Sequence, residues 1–585
     1  MLDLWQWIAF CLARNNKTNK QMFQIPILLD PQVKLLNPSV VTDLELLVSQ
    51  DTDLSLPLYA KITGLPSDSQ VLHQFATHYT TNKTFLEQTQ EIIPLAPKQH
   101  NLDTNAIRSL WASLRNPEGF CEKYQYVDWN FAKHLNRSST FNQLSCLYNI
   151  SSPLFSLAMP FFVLLIPFFV LWAEGCPWTF SQYWTTMQKY MSTHPLYKGF
   201  VSDQTGPGTY VSAALYLFSI YQNVLACIRF VCNMRDIAQQ LQSMQQFVHR
   251  SLDQIHHWQQ VLKPFSTYQP FLQQMEPMEQ TLKAIRDPLD AFELTFSFSL
   301  GNGVCWSRQM GTVMSFYYES HESAEWNTAV QYALDLDEYG QLMAALRKHI
   351  GLGVLGKAKI QAQQKNKTKI KLANMYYPLY FDQDENQRVK NSVKLQKHNW
   401  VITGPNASGK TTTLKTVLLN LLLVQQIGYG CFKKATCTLF DYFHCYLNIP
   451  DTSGRDSLFQ AEARRCKDIL DCLSDPANQG KTHFGILDEL YSGTNPEEAV
   501  QSAFGFMKFL AKQDNLRCIL TTHYVQLCAQ LEQAHCADNY CMRMKADGSP
   551  SYQLVPGTSH VKGGLKVLRD MDYPAEILLS AATQS

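Results

Sequence analysis

Trp400 to Val424 reads WVITGPNASGKTTTLKTVLLNLLLV, and this stretch decides the fold. A short apolar run ends in a glycine-rich turn, and an apolar run of helical length follows. That order describes one strand, turn and helix of an α/β sheet. Within it Gly404, Gly409, Lys410 and Thr411 fit G-x-x-x-x-G-K-[ST]. The residue types follow from the chemistry of holding phosphate. Glycines let backbone N–H groups face the anion, the helix N-terminus adds a favourable dipole, a lysine reaches the β- and γ-phosphates, and a hydroxyl ligates Mg²⁺. Gly404, Pro405, Asn406, Ala407, Ser408, Gly409, Lys410, Thr411 and Thr412 are therefore expected to bind ATP, with Thr411 a ligand of Mg²⁺.

Downstream, HFGILDELYSG is a second apolar strand, ending in Asp488 and Glu489. Phosphoryl transfer to water requires a further contact to the metal and a base for the attacking water, so Asp488 is assigned to Mg²⁺ and Glu489 to the water. A third strand, RCILTTH, ends at His523, placed to sense or orient the γ-phosphate or the water. Catalysis is thus expected from Glu489, His523 and Lys410. Between these strands lies DTSGRDSLFQAEARR, where Ser453 and Gly454 open an expected helix and would present N–H groups to an anion.

Upstream, Leu352 to Lys371 carries Lys357, Lys359, Lys365, Lys367, Lys369 and Lys371 and no acid, which reads as a solvated face or linker, or as a phosphate contact. Ile237, Leu241, Met244, Val248, Leu252, Ile255, Trp258 and Leu262 recur at spacings of three and four, the mark of a long amphipathic helix ending at Pro264. Further back, no charge occurs from Ser138 to Ala173, and Gln204 to Ile228 is a second uncharged stretch. A bilayer core takes about 20 apolar residues in a helix. Lys133 and Arg137 before the first stretch, and Arg229 and Arg235 after the second, suit a hairpin with both ends in the cytosol. A buried hydrophobic core, its first helix interrupted by Pro153, Pro160 and Pro167, is the alternative. Leu2 to Leu12 is apolar but is followed by no small-residue cleavage site, so no cleaved signal peptide is expected. Residues 1–150 show helical periodicity without a motif. A net charge of +1 excludes nucleic-acid binding by overall charge and requires any such contact to be local. The 16 cysteines form no C-x-x-C pair, which argues against a zinc ribbon or dithiol redox site.

Taken in order, ITGPNASGKTT, SGRDSLFQAE, DELYSGT, TTHY and YQLVPGTSHVKGGLKV resemble the motifs of the MutS family of mismatch-repair ATPases, over about residues 376 to 580. Val389 to Val393 resembles the family's N-D-V element, which adds Asn391 and Val393 to the nucleotide contacts. The resemblance implies a dimeric ATPase, homodimer or paralogous heterodimer. In it Ser453 and Gly454 would complete the partner's site, while Lys410, Thr411, Asp488, Glu489 and His523 act in cis. Ala407-Ser408 stands where the family has Met-Gly, and Leu490-Tyr491-Ser492 replaces its Ile-Gly-Arg. The phosphate and metal ligands survive these changes, but membership in the mismatch-correcting branch is put in question. No mismatch-reading F-x-E wedge occurs at the amino terminus, and Phe316-Tyr317-Tyr318-Glu319 reads as packing.

The expected fold is an α/β P-loop NTPase domain of MutS type preceded by a mostly helical lever region, with a transmembrane hairpin. The expected division is an N-terminal domain (1–150), a hydrophobic hairpin (151–235), a helical lever (236–375) and the ATPase domain (376–585). Two functions compete. One is an ATPase that grips double-stranded DNA with weak mismatch selectivity; the other is a membrane-anchored mechanical ATPase whose client is not DNA. The corresponding locations are a cytosol-facing membrane with two spans, or the cytoplasm. A transporter subunit fits the signature segment and the number of spans poorly.

Overall fold

A computed structural model of the chain describes residues 23–49, 57–97, 104–192, 207–292, 294, 303–361, 368–447, 449, 457–547, 549–561, 571–574 and 576–577. It falls into two compact units. One comprises Met1–Asn101, Ile255–Glu276 and Leu334–Ser585, and the other Leu102–Gln254 and Pro277–Ala333.

The first unit is built on a six-stranded sheet. Its strands are β1 (Asn399–Thr403), β2 (Tyr442–Tyr446), β3 (His483–Asp488), β4 (Leu516–Thr522), β5 (Ala537–Met544) and β6 (Pro550–Pro556), in the order β6-β5-β1-β4-β3-β2. β1 to β5 are parallel, and β6 closes one edge antiparallel to β5. Parallel strands covered on both faces are near-continuous apolar runs, as Trp400–Ile402 and Phe484–Leu487 are. Because the strands run the same way, β1, β4 and β3 bring their carboxyl ends to one edge, with Asp488 opposite Thr521 and Thr403 opposite Thr522. This places residues far apart in sequence side by side.

One face of the sheet is covered by helices Leu458–Ser474, Pro496–Ala511 and Val525–Gln533, through a core that includes Cys466, Leu487, Ala503, Met507, Leu520 and Leu531. Helix Lys410–Ile427 is buried along nearly its whole length, since its sequence has no polar face. Part of its cover comes from the amino-terminal segment. Gln426 donates to the carbonyls of Phe75 (2.7 Å) and His78 (3.1 Å) and accepts from Tyr59 Oη (2.6 Å). Gln425 donates to Phe440 O at 2.9 Å and Thr80 O at 3.2 Å. Gly428 ends the helix at φ +76°, where a Cβ would stand 2.5 Å from Gln90 Cγ. The described part of residues 1–101 is therefore a cover for the core helix.

A second sheet pairs five strands in the order Asn391–Leu395, Ile370–Met375, Lys434–Thr438, Gly356–Gln361 and Tyr429–Gly430. Of the stretch from Leu352 to Lys371, Gly356–Gln361 and the start of Ile370–Met375 are thus strands of this sheet. Its lysines alternate with buried Ala358, Ile360, Ile370 and Leu372, a strand's period of two. Lys365 and Lys367 lie outside the described residues.

The second unit is helical. The Phe-Tyr-Tyr run of helix Gly303–Glu322 is buried, with Phe316 against Trp326 (4.8 Å between centroids) and Tyr317 against Tyr124 (5.0 Å). Gly311 lets that helix approach helix Ser139–Ala173 closely, since a Cβ there would overlap Ser139 O and Gln143 Cβ. All eight residues of the apolar stripe from Ile237 to Leu262 are buried, Ile237 to Leu252 in this unit and Ile255, Trp258 and Leu262 in the first. The stripe continues the second uncharged stretch without a break in a single helix, Pro207–Leu262.

The expected boundaries at 150/151 and 235/236 fall inside helices Ser139–Ala173 and Pro207–Leu262. The expected boundary at 375/376 separates Ile370–Met375 from the sheet it belongs to. Among the described residues one helix, Tyr210–Leu262, is long and apolar enough to cross a membrane. Its best window has mean hydropathy 1.6 and is 6% buried. Ser139–Met159 and Phe161–Ala173, bent by 62° at residue 160, pass the same test together. Phe161, Phe169 and Trp172 on the first, and Leu215 and Phe218 on the second, are exposed.

Candidate functional site

The turn between β1 and helix Lys410–Ile427 is shaped by its backbone. Ala407 takes φ +57° and Gly409 φ +92°. A Cβ at Gly409 would stand 3.1 Å from the Tyr552 ring, and at Gly404 2.7 Å from Ser408 Oγ. Lys410 is 6% exposed, and its ammonium is folded back onto the loop, donating to Gly404 O at 3.0 Å and Pro405 O at 3.2 Å. Burial pushes the Lys410 ammonium below its ordinary pKa, with Glu489 and Asp488 opposing. Ser408 Oγ is buried with no partner among the described residues.

The acidic strand end lies against this loop. Thr411 Oγ1 donates to Asp488 Oδ2 at 2.7 Å, and Thr521 Oγ1 bonds the other oxygen of the same carboxylate. Glu489, held at φ +50°, has Oε1 2.7 Å from His523 Nε2 and 3.9 Å from Lys410 Nζ. The hydrogen bond to His523, followed by the charges of His523 and Lys410, holds the Glu489 carboxyl below the usual carboxylate range despite its partial burial. His523 Nε2 also lies 3.1 Å from Lys410 Nζ. That nitrogen can donate to Glu489 or accept from Lys410, but one proton position excludes the other.

The loop opens on a cavity of about 540 Å³ lined by Asn406, Ala407, Ser408, Gly409, Lys410, Thr411, Thr412 and Glu489. The structure therefore gathers most of the residues singled out in the sequence. Asn391 also reaches the cavity, where its side chain donates to Tyr552 O (2.9 Å) and accepts from Leu554 N (2.8 Å), tying β6 down. Val393 does not line it. Paired with Leu372 and 1% exposed, it faces the core of the second sheet, because strand alternation turns it away from Ser392 and Lys394. Ser453 and Gly454 lie outside the described residues. The helix after them begins at Leu458, where Ser457 and Gln460 form a capping box.

An aromatic part of the lining was not read from the sequence. Tyr376, Tyr377, Tyr380, Arg388 and Tyr552 belong to it, and the Arg388 guanidinium sits 5.0 Å over the Tyr376 ring. Arg388 is fixed by bonds to Gln383 O at 2.9 Å and Phe381 O at 2.7 Å. The signal was the tyrosine-rich run MYYPLYF just ahead of the glycine-rich loop.

Fold and cavity together define an ATPase-associated α/β domain. Residues 400–585 match the family model of MutS domain V. It is 28% identical over 219 residues to the DNA mismatch repair protein Msh3 of Dictyostelium discoideum, covering 34% of this chain and 15% of that protein. It is 28% identical over 256 residues to the endonuclease MutS2 of Thermus thermophilus, covering 43% and 31%. It is 28% identical over 188 residues to the DNA mismatch repair protein MutS of Halothermothrix orenii, covering 31% and 20%. The matched part is thus less than a third of each of these relatives.

Proposed function

We propose that this chain is a dimeric P-loop ATPase of MutS type that binds ATP with Mg²⁺ and uses hydrolysis to change conformation, with double-stranded DNA as its client. The observation that carries the reading is the convergence of Lys410, Thr411, Asp488, Glu489 and His523 at one sheet edge. The residues fit the nucleotide. Among the described residues Ser408 Oγ lacks a partner, Lys410 bonds only carbonyls and groups of its own site, and the glycine-rich turn lines the cavity. Bound ATP and Mg²⁺ would supply a polarised γ-phosphoryl group and its metal. Thr411 and Asp488 would hold the metal, and Lys410 would leave the loop carbonyls for the phosphates. His523 would then be free to keep its proton toward Glu489, whose carboxylate orients the water and accepts its proton. Ser453 and Gly454 would complete the second subunit's site. The DNA reading leans on the relatives, two of them named as mismatch repair proteins and one as an endonuclease.

A second reading, a membrane-anchored ATPase whose client is not DNA, is favoured by one observation: the exposed apolar surface of helices Ser139–Ala173 and Pro207–Leu262. In this reading the two helices form the hairpin and the ATPase domain faces the cytosol. The core claim is tested by nucleotide binding. Lys410→Ala should abolish ATP binding by the full chain, and Asp488→Asn should remove its dependence on Mg²⁺. Undiminished binding by Lys410→Ala would remove the phosphate assignment.

A further inference from the structure

The second sheet has one buried face, and the other, over its four longer strands, is open and rich in lysine. Lys357 and Lys359 stand on Gly356–Gln361, Lys371 on Ile370–Met375, Lys394 on Asn391–Leu395 and Lys434 at the start of Lys434–Thr438, and all five are exposed. Their strand neighbours Ala358, Ile360, Leu372, Val393 and Ala435 are buried on the other side. Register puts the lysines in rows. Lys394 is opposite Lys371, Lys371 opposite Thr436, and Thr436 opposite Lys359. In the adjoining row Lys434 is opposite Ala373 and precedes Ala435, the partner of Ala358, so it lies beside Lys357. Strands are about 4.8 Å apart and alternate residues about 6.7 Å, so the five ammonium groups share a patch some 15 Å across. Like charges directly opposite in a sheet are destabilising, and Lys371 faces Lys394 in that way. Among the described residues no carboxylate forms an ion pair with any of the five. Folding alone gives no reason to gather these charges.

We propose that this lysine face binds the phosphate backbone of double-stranded nucleic acid. The inference deepens the DNA reading above and depends on it. The chemistry selects the class of polyanion. Bases of a single strand are held by stacking on aromatic rings, and base edges are read by planar, bidentate side chains such as arginine. Beside the five lysines the open face carries Ala373, Ser392, Thr436 and Gln361, small or uncharged polar groups that suit phosphates at a duplex surface, while Tyr429, opposite Lys357, is buried. Surface attachment to lipid adds exposed apolar or aromatic residues beside the basic ones, and this face exposes none. The contact would be blind to sequence and would place the duplex on the nucleotide domain itself.

The test compares the full chain with a triple variant, Lys359→Gln/Lys371→Gln/Lys394→Gln, on a matched duplex, a single strand of the same length, and vesicles containing phosphatidylserine, across a salt series. These side chains are exposed and lie outside the catalytic machinery, so ATP hydrolysis should be unchanged and serves as the check on folding. Five phosphate contacts give a slope of log K against log salt of about −4.5, at about −0.9 per contact, and removing three should bring it to about −1.8. Affinity of the variant for duplex at low salt should fall at least tenfold. An unchanged slope in an active variant would overturn the assignment of the face while leaving DNA as client. Absence of duplex binding by the unaltered chain, or binding to vesicles in preference to duplex, would overturn both, while its ATP hydrolysis would keep the ATPase reading separate.

Discussion

Glu462 holds the loop that carries the proposed base, and its removal has a calculable cost. It is buried on helix Leu458–Ser474 and grips the segment just beyond Glu489. Oε1 accepts from Ser492 N at 3.1 Å and Ser492 Oγ at 2.8 Å, and Oε2 accepts from Gly493 N at 3.1 Å. The segment depends on outside support, because Glu489 and Tyr491 both sit at positive φ. Gly493 approaches so closely that a Cβ would stand 2.8 Å from Leu458 Cγ. Hydrogen bonds to a charged group contribute about 1.5–3 kcal/mol each, and an orphaned buried N–H costs about 1–3 kcal/mol. Glu462→Gln keeps the shape but turns an amide N–H₂ toward one of the donors, so about 2 kcal/mol of local stability should go. Glu462→Ala loses all three bonds and should cost about 5 kcal/mol or more. Hydrogen exchange reads this locally, which suits a chain of two units where one unfolding free energy is not defined. Exchange of the Ser492 and Gly493 amides should quicken about 30-fold in Glu462→Gln, the equivalent of about 2 kcal/mol. ATP turnover should fall with it, since a misplacement of about 1 Å in a catalytic group can cost about a hundredfold. Wild-type exchange and turnover in both variants would refute the idea that Glu462 positions the loop.

Two further outcomes follow from buried and exposed side chains. His444 and His483 face each other with ring nitrogens 3.0 Å apart, and burial pushes them down to about 3 and about 4 respectively. Both folded values lie below the ordinary 6.5, so the unfolded chain takes up protons first. Their stabilising effect is complete above about pH 6.5 and is lost as pH falls toward 4, on the order of 3 kcal/mol for His483 alone. Urea midpoints should therefore drop between pH 7 and 4.5, and drop less in His444→Gln; an equal drop would contradict the burial argument. If Phe161, Phe169, Leu215 and Phe218 face lipid, the protein should resist alkaline carbonate extraction, whereas complete release would defeat the hairpin.

What was legible in the sequence was whatever a local rule controls. The glycine-rich loop, the acidic strand end at Asp488 and Glu489, and the stripe from Ile237 to Leu262 each express one spacing and one chemistry, and each stands where its spacing placed it. Long-range pairing was not legible. Lys357 and Lys371 alternate with apolar residues, yet a run of lysines without acids reads equally as a linker until Lys434–Thr438 pairs with both flanking strands. The cover provided by Tyr59, Phe75 and Thr80 depends on Gln425 and Gln426, glutamines on a helix whose burial on all sides had no periodic signature. Val393 shares a strand face with Asn391, and its distance from the cavity follows from its deeper place against Leu372 in the second sheet, which spacing alone does not express. The tyrosine wall was passed over because aromatic residues report packing as readily as a pocket.

The central claim is that Glu489 activates water for ATP held by the loop around Lys410, and single-turnover hydrolysis tests it most directly. With ATP and Mg²⁺ in the presence of excess enzyme, the full chain should convert ATP to ADP, and Glu489→Gln should bind ATP as tightly while hydrolysing it at least a hundredfold more slowly, the scale of a lost general base. Equal hydrolysis rates in the two proteins would contradict the assignment of Glu489, and no Mg²⁺-dependent hydrolysis by the unaltered chain would contradict the ATPase itself.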